Sequence, residues 1–526
     1  MSQGAEGEAR NAGRGGVLVL GAKVFFIVIG FIQQALLKHA LGLSEYGALS
    51  RVLAHANILN NVVVQGSIQG VSRRVAPVRE HFEGELRACL RVHVPLAFAL
   101  AAAFFLLAEP IAAFQKAAHI ASPLRVMALV ILAYGIYAPL VGALNGRARF
   151  DRQAALDVIF ATLRTIGLVG LGWLFVRRDL GGAVGASVGF ASAALLVVPL
   201  AARWAQQRDR ASAGRADAEA HPTKLSAGTY LAALSQVAIA QLLVNALMQI
   251  DITLAGRFLS EAALLANSDA GVAAKRADEW VGVYRACQLF AFLPYQLVLS
   301  VAQVLFPMVA RAHAQGNDKL VAETVERGLR IATLLAGAIV AIVAANPGTL
   351  LRFAYGQEVA DRGADTLRIL ALGQGAFALF GVASTVLVSL GRERTSAILS
   401  GAALSVVAAT CWAFVSGATF GEEQLRRTAL ATSLGLAIAV VLAGVAVKRA
   451  AGAFAPLLTL LRVALAIATA AASGLAMASL PKLPSLVVAA LGATTAVLAY
   501  GAVLWLTREL TSDDGRSVVR LVRKPR

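Results

Sequence analysis

Charge is scarce in this chain, and negative charge scarcer still. Only 15% of the 526 residues are Asp, Glu, Lys or Arg, and 30 acids face 48 Lys and Arg. A soluble globular domain carries about 25% charged and about 45–50% apolar residues. At 58% hydrophobic content and a mean hydropathy of +0.70, the chain falls outside that class. The three cysteines, Cys89, Cys287 and Cys411, show no paired spacing, so neither a disulfide framework nor a metal site is expected. No G-x-x-x-x-G-K-[ST] phosphate loop occurs, nor even a GK dipeptide, which excludes an ATP motor of that type. There is no H-E-x-x-H pair, and the loops are too short for a soluble catalytic domain. No cofactor and no enzymatic activity are expected.

What the chain has is grease, in about fourteen runs of about twenty residues, each long enough to cross the ~30 Å hydrocarbon core as a helix. The spans are read at 17–38, 52–72, 93–114, 126–144, 154–176, 181–202, 228–256, 281–310, 329–346, 367–390, 396–416, 429–447, 454–480 and 484–507. The net charge of +18 does not form one basic face, so a nucleic-acid partner is not expected. Lys and Arg concentrate in alternate loops, as in Arg73, Arg74, Arg79, Arg87 and Arg91, then Arg147, Arg149 and Arg152, then Arg203 to Lys224. That bias predicts both termini on the cytoplasmic side of a multi-pass membrane protein. The first span lacks a small-residue cleavage site and is read as retained.

The resulting expectation is an all-α polytopic membrane protein with two six-helix pseudo-repeat lobes around a central cavity and two C-terminal helices. Its expected parts are a cytoplasmic tail (1–16), a first lobe (17–202), a polar cytoplasmic linker (203–227), a second lobe (228–447), an extra helix pair (448–507) and a basic tail (508–526). The lobes echo one another. LGLSEYGALS, with Glu45, Tyr46 and Gly47, parallels ADEWVGVYRA, with Glu279, Gly282 and Tyr284. About 235 residues separate Gly47 from Gly282, and about 238 separate Arg73 from Arg311. Weak internal repeats of this kind build many secondary transporters. The 260–279 segment between the paired motifs reads as a tolerated outer loop insertion. Gly181, Gly185 and Gly189 repeat at four-residue spacing, which permits close helix packing. The final pair of spans reads as lipid-facing, with Arg462 snorkelling to the interface.

Polar groups inside a bilayer are costly, and they face a wet cavity or a partner. Span two carries Asn57, Asn61 and Gln65, and span seven carries Gln241, Asn245 and Gln249, each set at helical spacing. Span eight adds Arg285, Gln296 and Gln303, with Pro294 as a kink. Lys23, Arg164 and Arg285 outnumber the acids Asp157 and Asp251. The three cations are the candidate ligands of a phosphate or pyrophosphate. The amides are candidates for sugar hydroxyls, and the two acids for ion coupling. For any single amide, helix–helix glue remains the alternative, as an internal ion pair does for Asp157.

The order of several loose motifs adds a resemblance. LGLSEYGALS, QGSIQGVSRRVA, NALMQIDITLAGRFLS, VGVYRACQLFAFLP, VLFPMVAR, LLRFAYGQEVADRGADTLRIL and VSLGRERTSA cover most of residues 15–400. Together they resemble the polysaccharide-type flippases of the multidrug/oligosaccharidyl-lipid/polysaccharide (MOP) exporter superfamily. The resemblance implies alternating access that moves undecaprenyl-pyrophosphate-linked oligosaccharide from the cytoplasmic to the periplasmic leaflet of the bacterial inner membrane, for exopolysaccharide, capsule or O-antigen synthesis. It places Asp251 and Tyr284 at recurrent family positions. The implied partners are the lipid-linked substrate and membrane lipids, with a polysaccharide polymerase and chain-length regulator as candidate protein partners. Three readings stay open beside it: a lipid II flippase, a cation-coupled multidrug antiporter and a membrane polymerase or ligase.

Overall fold

The computed structural model of the chain describes Phe25 and residues 28–207, 227–478 and 485–510; no strand occurs among them. Packing divides the chain into two compact units, with the division after Gly282.

The first unit contains α1 (28–41), α2 (Leu43–Val75), α3 (Phe82–Phe114), α4 (Ala121–Gly146), α5 (Phe150–Arg177), α6 (Gly182–Gln206), α7 (Ala227–Leu247) and α8 (Ile250–Ala266). It also holds the opening turns of α9 (Ala270–Ala291). At its centre α4 packs on α2, α3 and α6, while α5 packs on α6 and α7 on α2. The α5–α6 contact depends on glycine. A Cβ on Gly189 would lie 1.9 Å from the Gly167 carbonyl oxygen, and one on Gly185 would lie 2.5 Å from the Leu171 carbonyl oxygen. The expected close packing therefore holds at Gly185 and Gly189, whereas Gly181 serves as the N-cap of α6 at φ +85°.

The second unit takes the remainder of α9, then α10 (Leu293–Ala314), α11 (Asp318–Ala345), the short α12 (Pro347–Tyr355), α13 (Gln357–Ser389), α14 (Glu393–Val415), α15 (Glu422–Ala451), α16 (Leu457–Ala478) and α17 (Ser485–Leu506). Here α13 packs on α10, α11 and α15. The last two helices are more than a lipid-facing appendage. Both pack on α11 through a small-residue core that includes Ala341, Ala345, Ala466, Ala470, Ala496 and Tyr500. Arg462 does not snorkel: its Nη1 donates to Glu509 Oε2 at 2.7 Å, and Arg330 Nε donates to Oε1 at 2.8 Å.

Twelve helical stretches among the described residues are long and apolar enough to cross a membrane. Adding α1 and the polar but 33-residue α2 gives about fourteen spans. The chain is an all-α polytopic membrane protein. Large apolar side chains such as Leu106, Leu196 and Trp505 are exposed, as a lipid-facing surface requires. Two spans are broken: α7 gives way to α8 at Met248–Gln249, and α9 to α10 at Phe292, two residues before Pro294. The 260–279 segment is not a loop. It completes α8 and opens α9, with only residues 267–269 between them. Hydropathy undercounts these turns because it registers only the apolar part of a helix.

Candidate functional site

The polar stripes of α2 and α7 meet. Asn61 Nδ2 donates to Asn245 Oδ1 at 2.7 Å, and Asn245 Nδ2 donates back along α7 to the Gln241 carbonyl at 2.8 Å. Along the same helices the side-chain amides of Asn57, Gln65 and Gln241 find no hydrogen-bond partner among the described residues. Gln249 is buried at the break before α8, with its Oε1 unpartnered. Asp251 follows in the first turn of α8, 2% exposed, and its Oδ1 accepts from the Ile252 amide at 2.7 Å. A carboxylate there faces the positive end of the helix.

Arg164 and Asp157 both lie on α5, in an aromatic pocket of the first unit. Arg164 Nε donates to Gln33 Oε1 of α1 at 3.2 Å, and the Thr165 hydroxyl donates to the same oxygen at 3.1 Å. The guanidinium stands 5.8 Å from the Phe190 ring centroid and 6.0 Å from that of Phe160. Asp157 is half-buried about two turns before Arg164 on the same helix. Lys23 lies outside the described residues.

In the second unit, Arg285 is half-buried and makes no ion pair among the described residues. Its Nη1 donates to Gln288 Oε1 at 2.6 Å, leaving Nε unpartnered. Tyr284 beside it is fully buried. Past the break, Gln296 is half-buried and Gln303 exposed, both without a hydrogen-bond partner among the described residues.

Sequence reading missed the most deeply buried charge. Arg51 is 1% exposed, and its Nε lies 2.9 Å from Asp278 Oδ1. Arg51 Nη1 donates to Ser260 Oγ at 2.8 Å, and His119 Nε2 lies 2.6 Å from Asp278 Oδ2. Gly256 packs beside this cluster: a Cβ there would lie 2.8 Å from Gln115 Oε1 and in ordinary contact with the Arg51 guanidinium. A signal existed: Arg51 sits at the start of the span read at 52–72, where a charge needs a partner. Its partners Ser260 and Asp278 stand in the segment read as a loop. Asn60 was also missed; it is 2% exposed, with neither amide atom partnered among the described residues.

The paired motifs acquire physical roles. Glu45 Oε2 accepts from the Ala183 amide at 2.8 Å, capping α6, and the Tyr46 hydroxyl donates to Gln34 of α1. Gly47 and Gly282, equivalent in the repeat, face one another. A Cβ on Gly47 would lie 2.9 Å from the Gly282 nitrogen, and one on Gly282 would lie 3.4 Å from the Gly47 nitrogen. Among the described residues no three His, Cys, Asp or Glu side chains gather as a metal would need.

A family model described as polysaccharide biosynthesis protein matches residues 12–313, more than half of the chain, and one described as MatE matches residues 263–413. No curated protein matches the sequence. Among solved structures, one described as lipid II flippase MurJ in an inward closed conformation shares 14% identity, with a TM-score of 0.68 over 94% of this chain and 99% of that one. An inward-facing multidrug resistance MATE family transporter of the MOP superfamily shares 16%, with a TM-score of 0.61 over 82% and 97%. A MOP superfamily transporter from Pyrococcus furiosus shares 16%, with a TM-score of 0.55 over 88% and 95%. At such identities the likeness is one of fold.

Proposed function

The chain belongs to the polysaccharide biosynthesis protein family, within the MOP superfamily of flippases and exporters, and we propose that its cargo is an undecaprenyl-pyrophosphate-linked oligosaccharide. In this reading the protein moves the lipid-linked unit from the cytoplasmic to the periplasmic leaflet of the bacterial inner membrane by alternating access. Exopolysaccharide, capsule or O-antigen synthesis consumes the product. Both termini are cytoplasmic, and a polymerase and chain-length regulator are its candidate partners.

The observation that carries the reading is the row of amides, Asn57, Gln65 and Gln241, that flanks the Asn61–Asn245 bond without a side-chain hydrogen-bond partner among the described residues. Glue between helices satisfies its own donors and acceptors. Amides left open within a membrane span suit a ligand rich in hydroxyls, which both donate and accept. Arg285, which has no carboxylate partner among the described residues, suits the pyrophosphate, because a guanidinium meets phosphate oxygens with two parallel donors. Arg164, with Gln33 and Thr165, is a second polar site for the same cargo. Asp157 and Asp251 stand as the ion-coupling candidates.

The test uses purified protein in liposomes carrying a fluorescent short-chain polyprenyl-pyrophosphate oligosaccharide in one leaflet. Protein-dependent movement is expected, lost in Arg285→Ala and partly kept in Arg285→Lys. Movement of lipid II in preference to the oligosaccharide would reassign the cargo. Gradient-linked efflux of organic cations without lipid movement would replace the flippase reading by an antiporter. Asp251→Asn with unaltered gradient sensitivity would remove that residue as the coupling site.

A further inference from the structure

Outside the residues assigned above, α2 and α7 enclose a cleft of about 460 Å³, within the range of about 300–1,000 Å³ usual for small-ligand sites. On α2 its wall is Gly66, Gln69, Gly70 and Arg73, spaced i, i+3, i+4 and i+7 on one face. On α7 it is Thr229, Tyr230, Ala233, Leu234 and Val237. Gly70 brings the helices together, since a Cβ there would lie 2.6 Å from Leu234 Cδ2. Gly66 keeps the space open: nothing lies within 4 Å of its would-be Cβ.

The two arginines of the cleft differ in their partners. Arg74 Nε is bonded to the buried Glu85 at 2.9 Å. Arg73 has no carboxylate and no hydrogen-bond partner among the described residues. One guanidinium without a carboxylate among the described residues therefore lines the cleft, with the Gln69 amide beside it. Deeper between the helices, a second cavity of about 80 Å³ shares Gly66 and Leu234 with the cleft. Its further wall is chiefly apolar, with Val62, Val63, Leu96 and Leu100. A cationic cleft adjoining an apolar recess matches an anionic head on a hydrocarbon chain.

We propose that this cleft is a loading site for the phosphate-bearing head of a polyprenyl-linked substrate. Arg73 takes the phosphate oxygens, Gln69 donates to them, and the recess receives the first carbons of the chain. The site lies at the α2 terminus expected to be cytoplasmic, the leaflet in which the cargo begins. The inference rests on the flippase reading and adds an entry step to it.

The experiment measures binding of a fluorescent polyprenyl pyrophosphate to the full chain in neutral phosphatidylcholine nanodiscs, with inorganic pyrophosphate and phosphatidylglycerol as competitors. Arg73→Gln is expected to weaken binding about tenfold or more, the usual loss for one hydrogen-bonded charge, and Arg73→Lys to restore part of it. Gly66→Leu fills open space without meeting backbone and is expected to block the cleft in a folded protein. Displacement by inorganic pyrophosphate supports recognition of the head, while displacement by phosphatidylglycerol at equal concentration overturns the substrate assignment. Wild-type affinity and transport in both Arg73→Gln and Gly66→Leu would overturn the cleft alone. A wild-type protein that neither binds nor moves the probe would overturn the flippase reading and the cleft with it.

Discussion

Arg51 of α2 and Asp278 of α9 form an ion pair at 2.9 Å, with 1% and 3% of their side chains exposed. The contact is ionic and not a hydrogen bond, because Arg51 Nε has no acceptor in line with it. Asp278 also holds His119, and its backbone carbonyl oxygen would lie 1.8 Å from a Cβ on Gly47. Side-chain charge and close backbone approach thus join the same turns of α2 and α9.

Removing Asp278 leaves Arg51 buried without a carboxylate, and removing Arg51 leaves Asp278 with His119 as its one ion partner among the described residues. Arg51→Leu or Asp278→Leu alone is expected to cost about 3–5 kcal/mol, whereas the double apolar variant recovers much of that loss. Thermal unfolding of the three purified variants checks this. Losses that simply add would show the two charges to be independent.

Asn61→Leu removes one interhelical hydrogen bond, which in membrane proteins is worth about 0.6 kcal/mol on average. Stability is expected to fall by about that much, while lipid-linked oligosaccharide transport falls about tenfold. Unfolding and liposome transport measured on one preparation separate the two effects. A transport loss no greater than the loss of folded protein would make the asparagine structural.

Gly189→Ala sets a methyl group against the Gly167 carbonyl, so α5 and α6 must separate. The helices contact closely along their lengths, and the variant is expected to lose most of its monodisperse folded yield. Gly30→Ala, where a Cβ meets nothing within 4 Å, is the matched control. Size-exclusion profiles of both report the difference.

Glu509, just past the end of α17, is 3% exposed. Burial alone raises its pKa, but hydrogen bonds from Arg330, Arg462 and Thr459 outweigh burial and hold the carboxyl below its ordinary value. A carboxyl depressed in the folded state contributes fully above its unfolded pKa of about 4.3. That contribution drains away as pH falls through the lower folded value. Wild-type protein should therefore lose melting temperature faster than Glu509→Gln as pH drops from 5 to 3. Parallel curves for the two would deny the carboxylate this role.

Which motifs mattered was legible in the sequence more often than why. Glu45, Tyr46 and Gly47 stood out as a repeated motif, yet nothing local shows that they cap α6, tie α1 and admit α9. Arg462 read as a snorkelling side chain because its partner Glu509 lies 47 residues away. The 260–279 segment read as a loop because its helical turns are too polar for a hydropathy signal, although Ser260 and Asp278 are buried within it.

The amino-acid sequence alone determined that the chain is helical, that it crosses a membrane about fourteen times, and that α2 and α7 carry amide stripes. Each of these follows from a local rule: the width of a bilayer, the closed hydrogen bonding of a helix, and the turn of 3.6 residues. Only the tertiary structure decided that Asn61 bonds Asn245, that Arg51 is neutralised by Asp278, and that Arg285 and Arg73 have no carboxylate partner among the described residues. Pairing of that kind depends on which helix faces cross. Packing sets that through glycines and small side chains far apart in the chain, and no window of sequence contains both partners.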